Sequence, residues 1–561
     1  MNQETGLTPL GKIISGVLIA GLLVVGVVVF NKKSTEAGGG TGPLPVNSDN
    51  PASMLPSGLE ETQSAVPTLS PAGPYRMKDG ILDVDISEYP GYAGLIVANG
   101  GLQPSENSLF YKNHGFKVRI QMSEEESWDK LNSGKVGASV TTTDVLAVLG
   151  RQFQVAVPLL IAFSRGADGI VVRSDVKRLN NLQGKVVASI QFTEADFFIR
   201  FLAQEAGIGI QALPSLGTPP DAQKINLVYA KDGETSGAAF LEELGGAGRL
   251  AGCVTWAPTT SETVDKSAGK ARLLTTNRNL LIISDILVLN KSFATENPKI
   301  VSGLVEGWLE GNRLVRENPS SQIAVISQAF KWSADQTKTE LEKVHLANLP
   351  ENEAYFSGAI DAAGSFGSIY QSAVLAYGPE LIADAPPFER FLDLSHIQGL
   401  RSTGKFAEQK ISLAPIKSSG GGALENDPLL TKDIRFFFDP NSATLIQDTA
   451  AKDGQSNFKS MEDVARLARV SPGSVLLLVG HVDDARRQEF EAQGPKFYQE
   501  MRLKAIQLSK DRANAVKAPL AEKFKIDPSR LQTDGKGWDR PVSKSTPELN
   551  RRVEVQWFTV E

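Results

Sequence analysis

The stretch LNSGKVGASVTTTDVL, residues 131–146, changes its hydrophobic period halfway along. Val136–Val140 is short, apolar and partly β-branched, which predicts a strand. Asp144–Leu149 repeats its apolar residues at helical spacing, and Thr141-Thr142-Thr143-Asp144 supplies the hydroxyls and carboxylate that open a helix. A strand running through such a loop into a helix is the building unit of an α/β sheet, and ligands collect where these loops meet helix N-termini. The alternation continues outward on both sides. Strands are expected at Ile81–Ser87, Lys117–Met122, Ala156–Phe163, Gly169–Arg173, Lys185–Ile190, Lys224–Ala230, Leu250–Thr255, Ala271–Thr275 and Leu281–Asn290. Helices fit Glu124–Asn132, Glu194–Ala206, Ser236–Leu244 and several stretches after Asn297.

Polar residues gather at the ends of these strands. Thr142 and Thr143 follow one; Arg165 and Asp168 lie in the Gly-containing turn Ser164–Gly169 between two others. Thr193 begins a helix, Trp256 ends a strand, and Tyr92 closes the turn Tyr89-Pro90-Gly91-Tyr92. Each has a local reading as a helix cap or a packing residue. Their common placement at strand ends is what points to a site.

The runs ISEYPGYAGLIVANGGLQPSENSLFYKNHGFKVRI (86–120), LNSGKVGASVTTTDVL, SRGADGIVVRSDVKRLNNLQGKVVASI (164–190) and CVTWAP (253–258) resemble type 2 periplasmic solute-binding proteins of the nitrate, sulfonate, taurine and thiamine-precursor kind. The resemblance implies two α/β lobes closing over a small ligand, over about 76–413. By position, Tyr92, Thr142, Thr143, Arg165, Asp168, Thr193 and Trp256 then line the cleft. Arg165, the Thr run and the helix N-termini favour an anion such as phosphate, a sulfonate or a carboxylate. Asp168 and the aromatic rings suit an amine. An ABC permease is a candidate partner, and no cofactor is implied.

Downstream, strands are expected at Ile434–Phe438, Val475–Gly480, Arg530–Thr533 and Val553–Phe558, with helices at Met461–Ala468 and Arg502–Phe524. Asp483 follows one strand, Arg512 sits within the long helix, and Arg551 and Arg552 enter the last strand. An acid gathered with arginines suits a ligand carrying both ammonium and carboxylate; surface ion pairs are the plainer reading. FFFDPNSATL (436–445), LLLVGHVDD (476–484), LSKDRANAVKAPLAEKFKIDPSRLQTDGKGW (508–538) and NRRVEV (550–555) resemble, in order, the OmpA-like peptidoglycan-binding domain, a small α+β fold of order βαβαββ. The resemblance implies that Asp483 and Arg512 hold the diaminopimelate of the stem peptide, with Arg551 or Arg552 in support. Val482 stands where a Thr hydroxyl is usual, and 486–504 lengthens the connection between Asp483 and Arg512.

Residues 13–30 form an uncharged apolar run that as a helix would reach roughly 27 Å, enough for one membrane span. No Ala-x-Ala cleavage site follows it, so an uncleaved anchor is expected, with 1–12 cytoplasmic and the folded regions periplasmic. Segments 31–75 and 414–427 are rich in Gly, Pro and Ser and read as linkers, leaving 428–561 as the second folded region. With 58 Lys+Arg against 64 Asp+Glu the chain has no charge excess for nucleic acid. A single cysteine excludes an intramolecular disulfide, and the four histidines, at 114, 345, 396 and 481, lack metal-ligand spacing. A proton-driven stator, which also joins a span to an OmpA-like domain, needs a carboxylate in the membrane, and 13–30 has none. Gly245-Gly246-Ala247-Gly248 lacks the Lys-Ser/Thr of a phosphate loop, so nothing points to an enzyme. A tether between membrane and wall with a vestigial cleft is the alternative to solute binding, and an enzyme acting on a small molecule in the cleft is the lesser one.

Overall fold

Three sheets organise the chain. The computed structural model describes residues 56, 58–123, 128–360, 364–413, 427–439 and 442–559. The expected cytoplasmic segment 1–12, the span 13–30, the early linker and 414–426 lie outside the described residues. Among those described, no helix is long and apolar enough to cross a membrane.

The first sheet has the order Val344–Leu346, Val155–Ser164, Ser284–Asn290, Ala138–Thr142, Ile81–Ile86, Lys117–Met122. Ile81–Ile86 is parallel to both neighbours, whereas Ser284–Asn290 is antiparallel to both of its own. The second has the order Leu59–Glu60, Lys224–Ala230, Val186–Ser189, Leu250–Trp256, Asp168–Arg173, Ala271–Thr276, with Gly209–Ala212 added beside Lys224–Ala230. Val155–Ser164 is buried along its whole length, as expected of a strand covered on both faces. From Ile81 onward the chain crosses between the sheets twice, from Val155–Ser164 into Asp168–Arg173 and from Ala271–Thr276 back into Ser284–Asn290. Two lobes result, and residues at the crossings lie between them.

Residues 58–75 depart from the linker expected on composition. Leu59–Glu60 pairs antiparallel with Tyr229 and Ala230 of the second lobe. Gln63 and Gln191 then exchange two hydrogen bonds, of 2.9 and 2.8 Å. Farther on, Gln152 accepts from Leu69 N at 2.8 Å and donates to Pro67 O at 2.9 Å, and Asn290 donates to Gly73 O. A Gly- and Pro-rich segment needs no core of its own where side-chain amides satisfy its backbone. The segment therefore lies as a strap, first on one lobe and then on the other.

The third sheet has the order Leu430–Ile434, Val553–Phe558, Val475–Gly480, Leu531–Gly535. Helices Lys452–Val470 and Pro495–Glu522 complete the expected βαβαββ order, and short helix Arg487–Ala492 is extra. Two boundaries moved. The first strand lies at Leu430–Ile434 rather than Ile434–Phe438, because the Asn457 amide both accepts from Phe437 N and donates to Phe437 O, at 2.8 Å each. The long helix begins at Pro495, so most of the 486–504 insertion is helical. Gly480 lets this helix come close: a Cβ there would sit 1.9 Å from Ser509 O. That approach brings the helix carrying Arg512 over the strand leading to Asp483.

The third sheet also docks on the second lobe. Leu179 N donates to Leu429 O at 2.8 Å, and the Asn180 amide makes two 2.8 Å bonds with the backbone of Thr431. Glu205, almost fully buried, pairs with Arg466 across the same boundary. The described residues from 56 onward accordingly form one compact unit.

Candidate functional sites in the cleft and the C-terminal domain

Between the lobes lies a cleft of about 760 Å³. Tyr92, Thr142, Asp168 and Trp256 line it. Tyr92 donates its hydroxyl to Asp285 Oδ1 at 3.1 Å and meets Tyr89 edge-on, with ring centroids 5.3 Å apart. Asp168, at the first crossing, accepts from Ser164 Oγ and from Asn277 Nδ2, the latter at 3.1 Å. Burial pushes its carboxyl up to about 6, against the pull of those hydrogen bonds. Thr142 is 4% exposed, and its Oγ1 has no hydrogen-bond partner.

Three expected cleft residues are elsewhere. Arg165 donates its backbone N–H to Lys343 O at 2.8 Å, and its guanidinium Nε donates to Arg278 O at 3.3 Å rather than lining the cleft. Thr143 is buried behind the cleft, its hydroxyl 2.7 Å from the Tyr355 hydroxyl and 3.1 Å from that of Ser284. Thr193 turns its hydroxyl back to Ile190 O at 2.9 Å, leaving its neighbour Glu194 on the cleft wall.

Several lining residues escaped the sequence reading. Asp285 stands at the second crossing, and an acid inside the apolar run Leu281–Asn290 was its signal. Glu88 accepts from Trp332 Nε1 at 2.5 Å, fixing that indole against the cleft beside Phe330, whose ring lies 4.5 Å from it. Asp232 caps helix Gly233–Gly245 through Thr235 N and also faces the cleft. No local pattern announces a Glu88–Trp332 pair so far apart in the chain.

In the C-terminal domain, Asp483 Oδ2 accepts from Arg551 Nε at 2.8 Å. Arg512 is 9% exposed, donates its Nε to Ser442 O at 3.0 Å and stacks its guanidinium 5.0 Å above the Phe438 ring. Burial, then the Arg551 charge, lowers its pKa from the usual arginine value, while Asp483 raises it. One acid and two guanidinium groups are thus gathered within electrostatic reach. Arg552 is not among them: it pairs with Asp433 at 2.7 Å and donates to Arg540 O, bracing the edge of the sheet.

The departures at Val482 and 486–504 have one physical cause. Val482 is buried with Phe490 of the inserted helix, Ala505 and Trp538, an apolar cluster that has no use for a hydroxyl. The insertion is held by this cluster and by Arg502–Asp539 at 2.5 Å, and it leaves Asp483 and Arg512 together. Cys253 is buried and its thiol is pushed up by that burial. Among the described residues no group of His, Cys, Asp and Glu side chains could hold a metal ion.

Residues 437–554 match the OmpA family. Two curated relatives, the outer membrane protein Omp38 of two Acinetobacter baumannii strains, are each 30% identical over 129 residues, which is 22% of this chain. The match spans 30% of the length of each of those relatives. Among solved structures, the periplasmic aliphatic sulphonate binding protein SsuA of Escherichia coli aligns over 57% of this chain and 99% of its own, at 15% identity and TM-score 0.42. The periplasmic nitrate-binding protein NrtA of Synechocystis PCC 6803 aligns over 58% and 89%, at 14% identity and TM-score 0.42. The two sheets with a cleft between them, and the family match over residues 437–554, give the chain a two-lobed α/β region followed by an OmpA-like domain.

Proposed function

We propose that this chain is a membrane-tethered periplasmic solute-binding protein, of the type 2 kind, fixed to peptidoglycan by its OmpA-like domain. Residues 13–30 serve as the span, with the N-terminus cytoplasmic, and the cleft takes a small solute for transport or sensing without chemistry on it. The observation that carries the wall-binding part is the grouping of Asp483, Arg551 and the buried Arg512. A diaminopimelate end presents an ammonium to Asp483 and a carboxylate to the guanidinium forks. Arg551 already holds Asp483, so a zwitterion inserts between existing partners rather than into an unpaired charge.

Calorimetric titration of meso-diaminopimelate into the full chain tests this reading. Binding is expected for the wild type, weakened about 10- to 100-fold in Asp483→Asn and in Arg512→Ala, since each loses one charge-assisted contact. Equal binding by all three, with folding confirmed, would refute the site. A reporter joined after Glu561 tests the topology: activity in the cytoplasm would contradict the orientation.

A further inference from the structure

The chemistry of the cleft points away from the anions that Arg165 suggested. Carboxylates line both sides of it: Glu88 and Asp285 from the first lobe, Asp168, Glu194, Asp232 and Glu234 from the second. Among the described residues, the basic side chains lining it are Lys231 and Lys331, and no arginine is present. Lys231 Nζ lies 3.8 Å from Asp232 Oδ2, so part of even this positive charge is balanced locally. Arg165, the guanidinium that would have met an anion, is bound to the Arg278 carbonyl instead. A small anion entering this space would meet several carboxylates with little to offset them.

Aromatic faces accompany the acids. Tyr89 and Tyr92 stand on one wall, Trp256 on the other, and Trp332 is pinned by Glu88. Rings beside carboxylates favour a cationic nitrogen on an apolar body, which gains from the ring quadrupole as well as from charge. Thr142 adds an independent sign: its buried hydroxyl lines the cleft with no hydrogen-bond partner, in a site where such groups are normally satisfied. An N–H of a bound ammonium would supply one. A bare metal ion fits poorly, since among the described residues no set of acidic side chains converges to hold it.

From this arrangement we infer that the solute is an organic cation, an ammonium or amidinium group carried on an apolar or aromatic frame. This rests on the reading of the cleft as a solute site. The cationic nitrogen sits among Asp168, Asp285 and Thr142, and the frame lies against Trp256 and Tyr92.

The test is thermal unfolding of the full chain with phenethylamine and spermidine, beside phenylacetate and nitrate at equal ionic strength. Molecules released from the purified chain on denaturation are identified by mass spectrometry in parallel. The amines are expected to raise the melting temperature in a concentration-dependent way, and the anions are not. Asp168→Asn should weaken the amine effect at least 10-fold in concentration, while Arg165→Ala, outside the cleft, should leave it unchanged. A released molecule carrying a cationic nitrogen also supports the inference. Stabilisation by phenylacetate or nitrate but by neither amine, or release of an anion, overturns the inference and leaves solute binding standing. No shift with any probe and no released molecule overturns solute binding itself, and the inference with it.

Discussion

Replacing Arg466 by Ala tests whether the OmpA-like domain and the second lobe act as one body. Glu205 is 1% exposed and its partner is Arg466, 40% exposed, on the other domain. Burial raises the Glu205 pKa, and Arg466 opposes that rise, with Lys432 contributing more weakly. Loss of Arg466 removes a charge-assisted bond and strands a buried carboxylate; discounting for the exposed arginine, about 2 kcal/mol is expected near pH 8. An unfolding entropy of about 2.1 cal/mol/K per residue makes this a fall of roughly 2 °C in melting temperature for a unit of this size. The pH dependence has a definite sign. A carboxyl whose folded pKa is raised contributes stability at low pH that is withdrawn as pH rises through the folded value. Without Arg466 that value climbs further, so the variant's deficit is largest at high pH and shrinks as pH falls and Glu205 takes up a proton. Calorimetric scans at pH 8 and pH 5 make the comparison. Equal melting of variant and wild type at pH 8, or a larger deficit at pH 5, would refute the docking.

Further outcomes follow from other contacts. Val482→Thr, which restores a hydroxyl usual in OmpA-like domains, places it against Phe490 and Trp538; it should destabilise by about 1–2 kcal/mol in denaturant unfolding and leave diaminopimelate affinity unimproved. Gln152→Ala removes both bonds that hold Pro67 and Leu69 to the first lobe; hydrogen exchange at the Leu69 amide should accelerate about 5- to 30-fold, and an unchanged rate would show that the strap does not depend on it. Because Asp168 titrates near 6, phenethylamine affinity should fall as pH drops through 6, approaching tenfold per unit below it, as protons compete for the carboxylate. A pH-independent affinity between 5 and 8 would remove Asp168 from the site.

Local pattern was enough to read most of the architecture. Lys117–Met122, Lys224–Ala230, Val475–Gly480 and Val553–Phe558 sit where their period and β-branched content place them. Where reading failed, a distant residue decided. The run 436–438 is apolar enough for a strand, yet Asn457 claims its backbone. Composition made 58–75 a coil, but amides at 152, 191 and 290 give its backbone partners. The cleft shows the same division. Tyr92, Thr142, Asp168 and Trp256 were legible because strand ends are local features. The orientation of Arg165 was not, since its partners Arg278 and Lys343 come from segments far along the chain. In the OmpA-like domain the motif named both Arg551 and Arg552, and only the pairing of Arg552 with Asp433 separates brace from site.

In the proposed function, Asp483, Arg551 and Arg512 hold this chain to the cell wall. Co-sedimentation of the full chain with purified diaminopimelate-containing sacculi tests it most directly, with Asp483→Ala, Arg512→Ala and the wild type run in parallel and folding checked by circular dichroism. Wild type in the pellet, displaced by free meso-diaminopimelate, with both variants left in the supernatant, is the result expected. Pelleting of all three alike, or a folded wild type that stays in the supernatant, would contradict it.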